Sequence, residues 1–362
     1  MGTRMTAVSI AAVRGDDADD LAASYRVEAT ALAADVPDLP PLSRRAHTVG
    51  LQVPWPGSRA LHWLARLDGE PVGRLGVNLP LLDNLENMDI ELTVHPRFRR
   101  RGVGRALYAE AVRTARAEGR RRLFATTVES LPGGPVRSGA GPGFAAATGA
   151  VAANTEVRRR LDLAGLDPAG LDPVGLDPAG LARVGGATYD GLLAAAQARA
   201  SGYSAVRWSD RAPDEYVDDV ARLEARLMLD APTGDLAWEA EVIDADRVRA
   251  GEAVRARRGI RTYFTGARHD RTGRLVALTS LFVFDGVPQH ADQMITLVDP
   301  DHRGHRLGMM IKIENLRYTV AEQPAVRTVD TWNATTNNFM ISINEAMGFR
   351  PVDAWVDWQV EV

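Results

Sequence analysis

The sequence predicts an α/β chain with a mixed α+β sheet, built as two domains in tandem. Three observations predict it. The 362 residues exceed the roughly 100–200 that one domain usually holds. A proline-bearing pentapeptide repeat divides the chain near its middle. On each side of it the same succession can be read: hairpin, strand, glycine turn, helix, strand. The expected boundaries are 1–163 for the first domain, 164–200 for a linker and 201–362 for the second.

In the first half, ALHWLARL and PVGRLGVNL alternate on either side of a DGE turn, as two paired strands do. MDIELTVHP follows. Met88, Ile90, Leu92 and Val94 fall on one face of this strand, and Asp89, Glu91, Thr93 and His95 on the other. One side packs and the other is wet. GVGRALYAEAVRTARAEG then reads as a helix and RRLFATTV as a strand. The repeat GLDPAGLDPVGLDPAGL sets Pro168, Pro173 and Pro178 at fixed spacing. Such prolines forbid a regular helix and strip donors from a strand ladder. The unit is too small for a solenoid and reads as a semi-stiff linker. In the second half, RTYFTGARH and RLVALTSLFVF flank a DRTG turn, and QMITLV is a strand. LGMMIKIENLRYTVAEQ is a helix and RTVDTWN a strand. Laying Val94 on Val298 also lays Pro96 on Pro300, Arg99 on Arg303 and Gly104 on Gly308.

Composition removes several classes of function. Apolar residues at 45% and charged residues at 25% are those of a soluble globular chain. A net charge of −4 argues against a general nucleic-acid surface. The absence of cysteine excludes disulfides, thiolate nucleophiles and sulfur-bound zinc. The seven histidines show no ligand spacing with paired carboxylates, so no metal is expected. No apolar run approaches the ~20 residues that cross a bilayer. The N-terminus lacks a signal-peptide pattern and fits only the permissive myristoylation one, through Gly2 and Thr6. A cytoplasmic chain is expected. Lys312 is the only lysine among 43 basic residues, which reads as codon bias.

The chemistry concentrates in VHPRFRRRGVGRALYAE, from Val94 to Glu110. A strand that ends in a glycine turn and opens a helix presents free backbone N–H groups and the positive end of the helix dipole. That arrangement binds phosphate. Gly102 and Gly104 let a ligand approach the backbone, and Arg99, Arg100, Arg101 and Arg105 add attraction. The ligand suggested is a pyrophosphate. No GxxxxGK[ST] is present, and the GxGxxG spacing of a Rossmann turn is missing.

VHPRFRRRGVGRAL resembles the acetyl-CoA pyrophosphate loop of the GNAT acetyltransferase superfamily, [QR]-x-x-G-x-[GA] after a strand, with Arg99, Gly102 and Gly104 in place. VDPDHRGHRLGMMIK resembles it too, but Arg306 stands where the first glycine belongs. There it either crowds the pyrophosphate or folds outward to meet it. NNFMISINEAMGF matches the family's next motif through Asn337, Gly348 and Phe349. Asn344 stands where the family often has a tyrosine that protonates the leaving thiolate. In the first half SLPGGPVRSGAGPGFAAATGA is broken by glycine and proline, with Ala145 near that position. Two such domains in one chain resemble the tandem actinobacterial plan of mycothiol synthase, in which one domain is catalytic and one degenerate.

The resemblance implies two tandem acyl-CoA N-acyltransferase domains that use acetyl-CoA as co-substrate. An amine attacks the thioester directly while both substrates are bound. Val94, Arg99, Arg100, Arg101, Gly102, Val103, Gly104 and Arg105 are the first donor site it implies. Val298, Arg303, Gly304, His305, Arg306, Leu307, Gly308 and Asn337 are the second. A strand N–H, from Val94 or Val298, would receive the oxyanion. Glu91 and Asp292 are the candidate bases and Asn344 the candidate at the thiolate. Glu91 reads equally as a solvated strand carboxylate. Tyr108 and Tyr318 read as packing residues, and His302 and His305 as phosphate neighbours. The acidic run Asp230, Asp235, Glu239, Glu241, Asp244 and Asp246 is either a wall for a cationic acceptor or a solvated loop. The expected acceptor is a small-molecule amine, with no nucleic acid or membrane partner, in a monomer or homodimer. The alternative is the same fold repurposed, as a non-acetylating enzyme of specialised-metabolite biosynthesis or a CoA-binding partner module.

Overall fold

The computed structural model describes residues 8–163, 189–230 and 232–362. Gly2, Thr6 and the pentapeptide repeat lie outside the described residues. The chain forms two compact units, and each draws on separate stretches of sequence. The first holds described residues up to 155 with 233–239 and 354–362; the second holds those of 156–232 with 240–353.

The first unit runs β1 (Ser9–Ala12), α1 (Ala18–Asp35), α2 (Arg44–Gln52), β2 (Ser58–Leu67), β3 (Glu70–Pro80), β4 (Asn87–Val94), α3 (Val103–Ala117), β5 (Arg122–Ser130), α4 (Ala140–Ala147) and the start of β6 (Val151–Asp162). Asp17 caps α1 by accepting the N–H groups of Asp19 and Asp20, and Ser43 caps α2 at Ala46. The DGE turn closes through Asp68 and Gly69, at φ 52° and 86°. Two left-handed residues make the hairpin turn whose twist matches its strands. The helix α4 forms in the stretch expected to be broken. Its proline, Pro142, sits in the first turn, where the missing N–H has no helical acceptor to lose. Val103, Leu107, Ala111 and Ala115 of α3 pack on the face of β4 that carries Met88 and Ile90. The polar face of β4 points the opposite way, as its period of two requires.

The second unit takes the rest of β6 and adds α5 (Tyr189–Gln197), β7 (Tyr203–Ser209), α6 (Val217–Asp230), α7 (Ala245–Arg258), β8 (Ile260–His269), β9 (Leu275–Phe284), β10 (His290–Val298), α8 (Leu307–Glu322), β11 (Thr328–Ala334), α9 (Asn338–Ala346) and the start of β12 (Arg350–Glu361). The α5 helix lies in the stretch expected as linker. Its Leu193 and Ala196 enter the core around α8, and the Tyr189 hydroxyl donates to the Met347 carbonyl at 2.7 Å.

The strand order is β1-β2-β3-β4-β5-β12 in the first unit and β7-β8-β9-β10-β11-β6 in the second. Each unit takes a strand from the other half of the sequence, so the compact units cross the contiguous boundaries expected. Thr126 and Thr127 of β5 bond Asp357 and Trp358, and β11 pairs antiparallel with β6 from Asp162 to Glu156. Ladder hydrogen bonds place a strand, and distance along the chain does not oppose them.

Candidate active site

In the first unit β4 and β5 pair in parallel only from Asn87↔Arg122 to Asp89↔Phe124. Beyond Asp89 the two strands splay. The His95 N–H donates to Val72 O on β3 at 2.9 Å. Strand alternation therefore turns the Val94 N–H and C=O toward the splayed side. In the second unit β10 and β11 pair from His290↔Thr328 to Gln293↔Thr331 and then part. The Asp299 N–H donates to Val276 O at 2.8 Å, so the Val298 N–H faces its gap in the same way.

Each strand runs into a short 3-10 turn, Pro96–Phe98 or Pro300–His302, and then a loop. The loops share a backbone. Arg100 and Gly102 are left-handed at φ 63° and 84°; Gly304 and Arg306 are left-handed at 87° and 55°. One glycine and one arginine have exchanged places. The departure at Arg306 thus leaves the cradle in shape, and the Arg306 side chain is exposed. No side chain caps α3 or α8, whose first helical bonds run from Ala106 N–H to Gly102 O and from Met310 N–H to Arg306 O. The preceding N–H groups, Val103 to Arg105 and Leu307 to Met309, have no acceptor within their helices. A Cβ on Gly104 would lie 3.3 Å from Phe144 and 3.6 Å from Val94; one on Gly308 would lie 3.4 Å from Ile343 and 3.8 Å from Val298. These glycines let the helix start close on the strand end.

Arg99 and Arg303 are expected at the phosphate. In the structure their guanidinium groups are held by protein partners. Nε of each donates to the strand-end carbonyl, Val94 O or Val298 O, at 3.2 Å. Arg99 then meets both oxygens of Asp35, the last residue of α1, at 2.8 and 2.6 Å. Arg303 meets Asp230, the last residue of α6, at 2.9 Å. They act as braces that fix the strand end beneath the loop. Arg100, Arg101 and Arg105 are exposed around it, with Arg101 over the Phe98 ring.

The other expected residues are placed as follows. Glu91 lies on the face of β4 away from α3, with its side chain 72% exposed and Oε2 3.1 Å from Arg74. Asp292 Oδ1 accepts from His290 Nε2 at 3.0 Å, and the His290 Nδ1 meets Thr328 Oγ1 at 2.8 Å. Beside them Asp330 is bound by Arg158 and Arg160, and Arg158 by Asp353, in a buried ion network. Asn337 caps α9 by accepting the Met340 N–H. Asn344 is fully buried and donates to Asn333 Oδ1 at 2.6 Å. The Tyr108 ring packs edge-on to Phe144, and Tyr318 to Tyr263. Three members of the acidic run have structural partners. Asp230 holds Arg303 and Arg226, Glu241 holds Arg247, and Asp244 caps α7.

Sequence reading missed the network behind Glu91. Arg74, buried on β3, lies 2.5 Å from Glu28 on α1 and reaches Glu91 as well. Glu28 meets His47 Nδ1 at 3.2 Å, and His47 Nε2 meets Ser24 Oγ at 3.2 Å. Burial pushes the Glu28 carboxyl up, but Arg74 and His47 outweigh it and hold it below its usual range. The one available signal was a charged residue within the apolar run PVGRLGVNL.

The family model of the Acetyltransferase (GNAT) family matches residues 31–132. A tandem GNAT protein from the clavulanic acid biosynthesis pathway, solved without AcCoA, is 34% identical. The match covers 98% of each chain at a TM-score of 0.79.

This chain belongs to the GNAT family of acetyltransferases.

Other solved structures share the fold. A GCN5-related N-acetyltransferase from Sphaerobacter thermophilus is 15% identical, with 98% of this chain and 95% of that one covered and a TM-score of 0.61. Saccharomyces cerevisiae N-myristoyltransferase with bound myristoyl-CoA is 12% identical, with 97% and 79% covered and a TM-score of 0.57. No curated protein sequence matches the chain. GNAT enzymes use an acyl-CoA donor and an amine acceptor, so this GNAT protein is an acyltransferase. Among the described residues no helix is long and apolar enough to cross a membrane, and no group of three or more acidic or histidine side chains is placed to hold a metal.

Proposed function

We propose that the chain transfers an acetyl group from acetyl-CoA to an amine of a small molecule, by direct attack in a ternary complex. The observation that carries this reading is the repeated cradle. A splayed strand edge leads to an uncapped helix start in both units, with the same left-handed loop backbone. The 34% identical tandem protein comes from the clavulanic acid biosynthesis pathway, which supports a small-molecule acceptor.

In the first unit the donor pyrophosphate rests on the N–H groups of Val103, Gly104 and Arg105, with Arg100 and Arg101 beside it. The pantetheine follows the open edge of β4. The thioester oxygen meets the Val94 N–H, which stabilises the oxyanion as it forms. Glu91 takes the amine proton, directly or through water. The C–N bond forms, the C–S bond breaks, and CoA leaves as a thiol. Water supplies that proton, since Ala145 stands near the tyrosine position. In the second unit Val298 takes the place of Val94, and Asp292 and Asn344 are the candidate base and the candidate at the thiolate.

Calorimetric titration of acetyl-CoA tests the reading, followed by thiol release over a panel of amines. Gly104→Glu sets a carboxylate against Phe144 and the helix N-terminus, and it should remove the first site. An absence of binding in the wild type would sink the proposal. One observation favours a second reading: neither Ala145 nor Asn344 offers a phenol. On that reading the chain binds CoA thioesters without acetylating, and binding with no thiol release over the panel would select it.

A further inference from the structure

The two cradles share a backbone but differ in charge. From His95 to Arg105 the first carries five arginines and no acid. From Asp299 to Met309 the second carries two arginines, two aspartates and two histidines. Brace pairs take some charges out of play: Arg99 on Asp35, Arg303 on Asp230, and Asp299 on Arg222. Arg97, Arg100, Arg101 and Arg105 remain in the first loop. Arg306 remains against Asp301 in the second, so the second loop is neutral until its histidines are protonated.

Those histidines are built into a cluster. His302 takes the place of Phe98, and His305 the place of Arg101. His302 Nδ1 meets the Tyr203 hydroxyl at 2.9 Å, and His305 Nδ1 meets the Arg199 carbonyl at 3.3 Å. A third, His269, lies 5.0 Å from the His302 ring centroid, with its Nδ1 on Thr272 Oγ1 at 3.0 Å. The Tyr203 ring lies between 5.2 and 5.7 Å from all three. Each Nδ1 is thus occupied, and each Nε2 is the nitrogen left to exchange a proton or meet a ligand. Asp301 and Arg271 flank the cluster in sequence, and several neighbouring charges are already engaged. Asp270 on the β8–β9 hairpin is held by Ser204 at 2.6 Å and Arg268 at 3.6 Å. From α6, Asp219 binds Arg274, and Arg226 shares Asp230 with Arg303.

We infer that the second cradle binds the diphosphate of its CoA thioester together with protons, taken up by His302 and His305, while the first binds the same ligand without them. The inference rests on the reading that both loops are acyl-CoA cradles. It gives the duplication a use: one donor site with permanent charge, and one whose affinity follows pH through its histidines. Arginine stays charged while histidine titrates.

The test uses the full chain in two forms. Gly104→Glu leaves only the second cradle, and Gly308→Glu only the first. Acetyl-CoA is titrated into each near pH 6 and near pH 8, in buffers of different ionisation enthalpy so that proton uptake is counted. Gly104→Glu should bind about tenfold tighter at the lower pH and take up one to two protons, given up to tenfold per pH unit for each proton linked. Gly308→Glu should change less than about threefold. The CoA phosphate titrates near pH 6 as well, but it is common to both forms and cancels between them. Should a glycine variant misfold, the pair His302→Gln and His305→Gln in the wild-type chain serves instead, removing the proton uptake of one site. Equal pH dependence in both forms, or uptake that survives the histidine substitutions, overturns the inference. So does a Gly104→Glu protein that binds nothing while Gly308→Glu binds, and that result leaves the acetyltransferase reading intact. A wild type that binds no acetyl-CoA defeats both.

Discussion

Lys312 should be a liability in the second unit, and its removal a gain. It is the chain's only lysine, it sits on α8, and it is 1% exposed. Its Nζ has no hydrogen-bond partner among the described residues and lies 5.4 Å from the Phe349 ring centroid. Burial pushes its pKa from 10.5 down to about 7. Between those values the unfolded chain holds a proton that the folded chain does not. Stability therefore rises with pH from about 7 to 10.5, and the full cost stands below 7. A shift of about 3.5 units at 1.36 kcal/mol each gives a cost on the order of 5 kcal/mol at pH 7 and below, falling to about 2 at pH 9. Lys312→Met keeps the length of the chain and drops the charge, so it should recover most of that. Guanidinium unfolding of both proteins from pH 6 to 9 reads it directly. The variant should be more stable at pH 6 by several kcal/mol, and the gap should narrow toward pH 9. Parallel pH curves, or a variant less stable at pH 6, would refute the reasoning.

Three further outcomes follow from the braces and the loops. Asp35→Asn should cost roughly 1–3 kcal/mol of acetyl-CoA affinity at the first cradle, because Arg99 loses a bidentate partner and with it the hold on the Val94 carbonyl; calorimetry at fixed salt reads it, and unchanged affinity would count against a bracing role. Glu28→Gln leaves buried Arg74 with Glu91 alone and should destabilise the first unit by about 3 kcal/mol near neutrality. Because the folded Glu28 pKa lies below its ordinary value, that gap should close as acid protonates the wild-type carboxyl; a gap that stays constant into acid is the contrary result. Gly102→Ala meets open space but a φ of 84°, so about 1 kcal/mol of backbone strain is expected in thermal unfolding, with the cradle still able to bind.

The sequence made the architecture legible where local rules act. The period-two alternation of Met88 to His95 announced β4 and its two faces. The Val94-to-Gly104 motif announced the strand, turn and helix of the cradle, and its echo at Val298 announced the repeat. The Asp68–Gly69 hairpin and the uncapped start of α3 follow from the same short-range chemistry. Asn344 and Asn337 could be numbered on a motif, but only the fold shows one fully buried against Asn333 and the other holding a helix end. The exchange of glycine and arginine at positions 304 and 306 was readable as a loss; the φ angles show it as a rearrangement.

By itself, then, the sequence determined the repeated cradle, the donor class it suits, and the polar and apolar faces of its strands. These depend on backbone preference and periodicity within a dozen residues. Tertiary structure alone decided which arginines brace a strand, which histidines cluster on Tyr203, and which half of the sequence supplies the last strand of each unit. Those outcomes join residues far apart in the chain, as Arg158 joins Asp353 and Thr126 joins Asp357. An arginine's role depends on which carboxylate folding brings within 3 Å of it, and no local pattern records that.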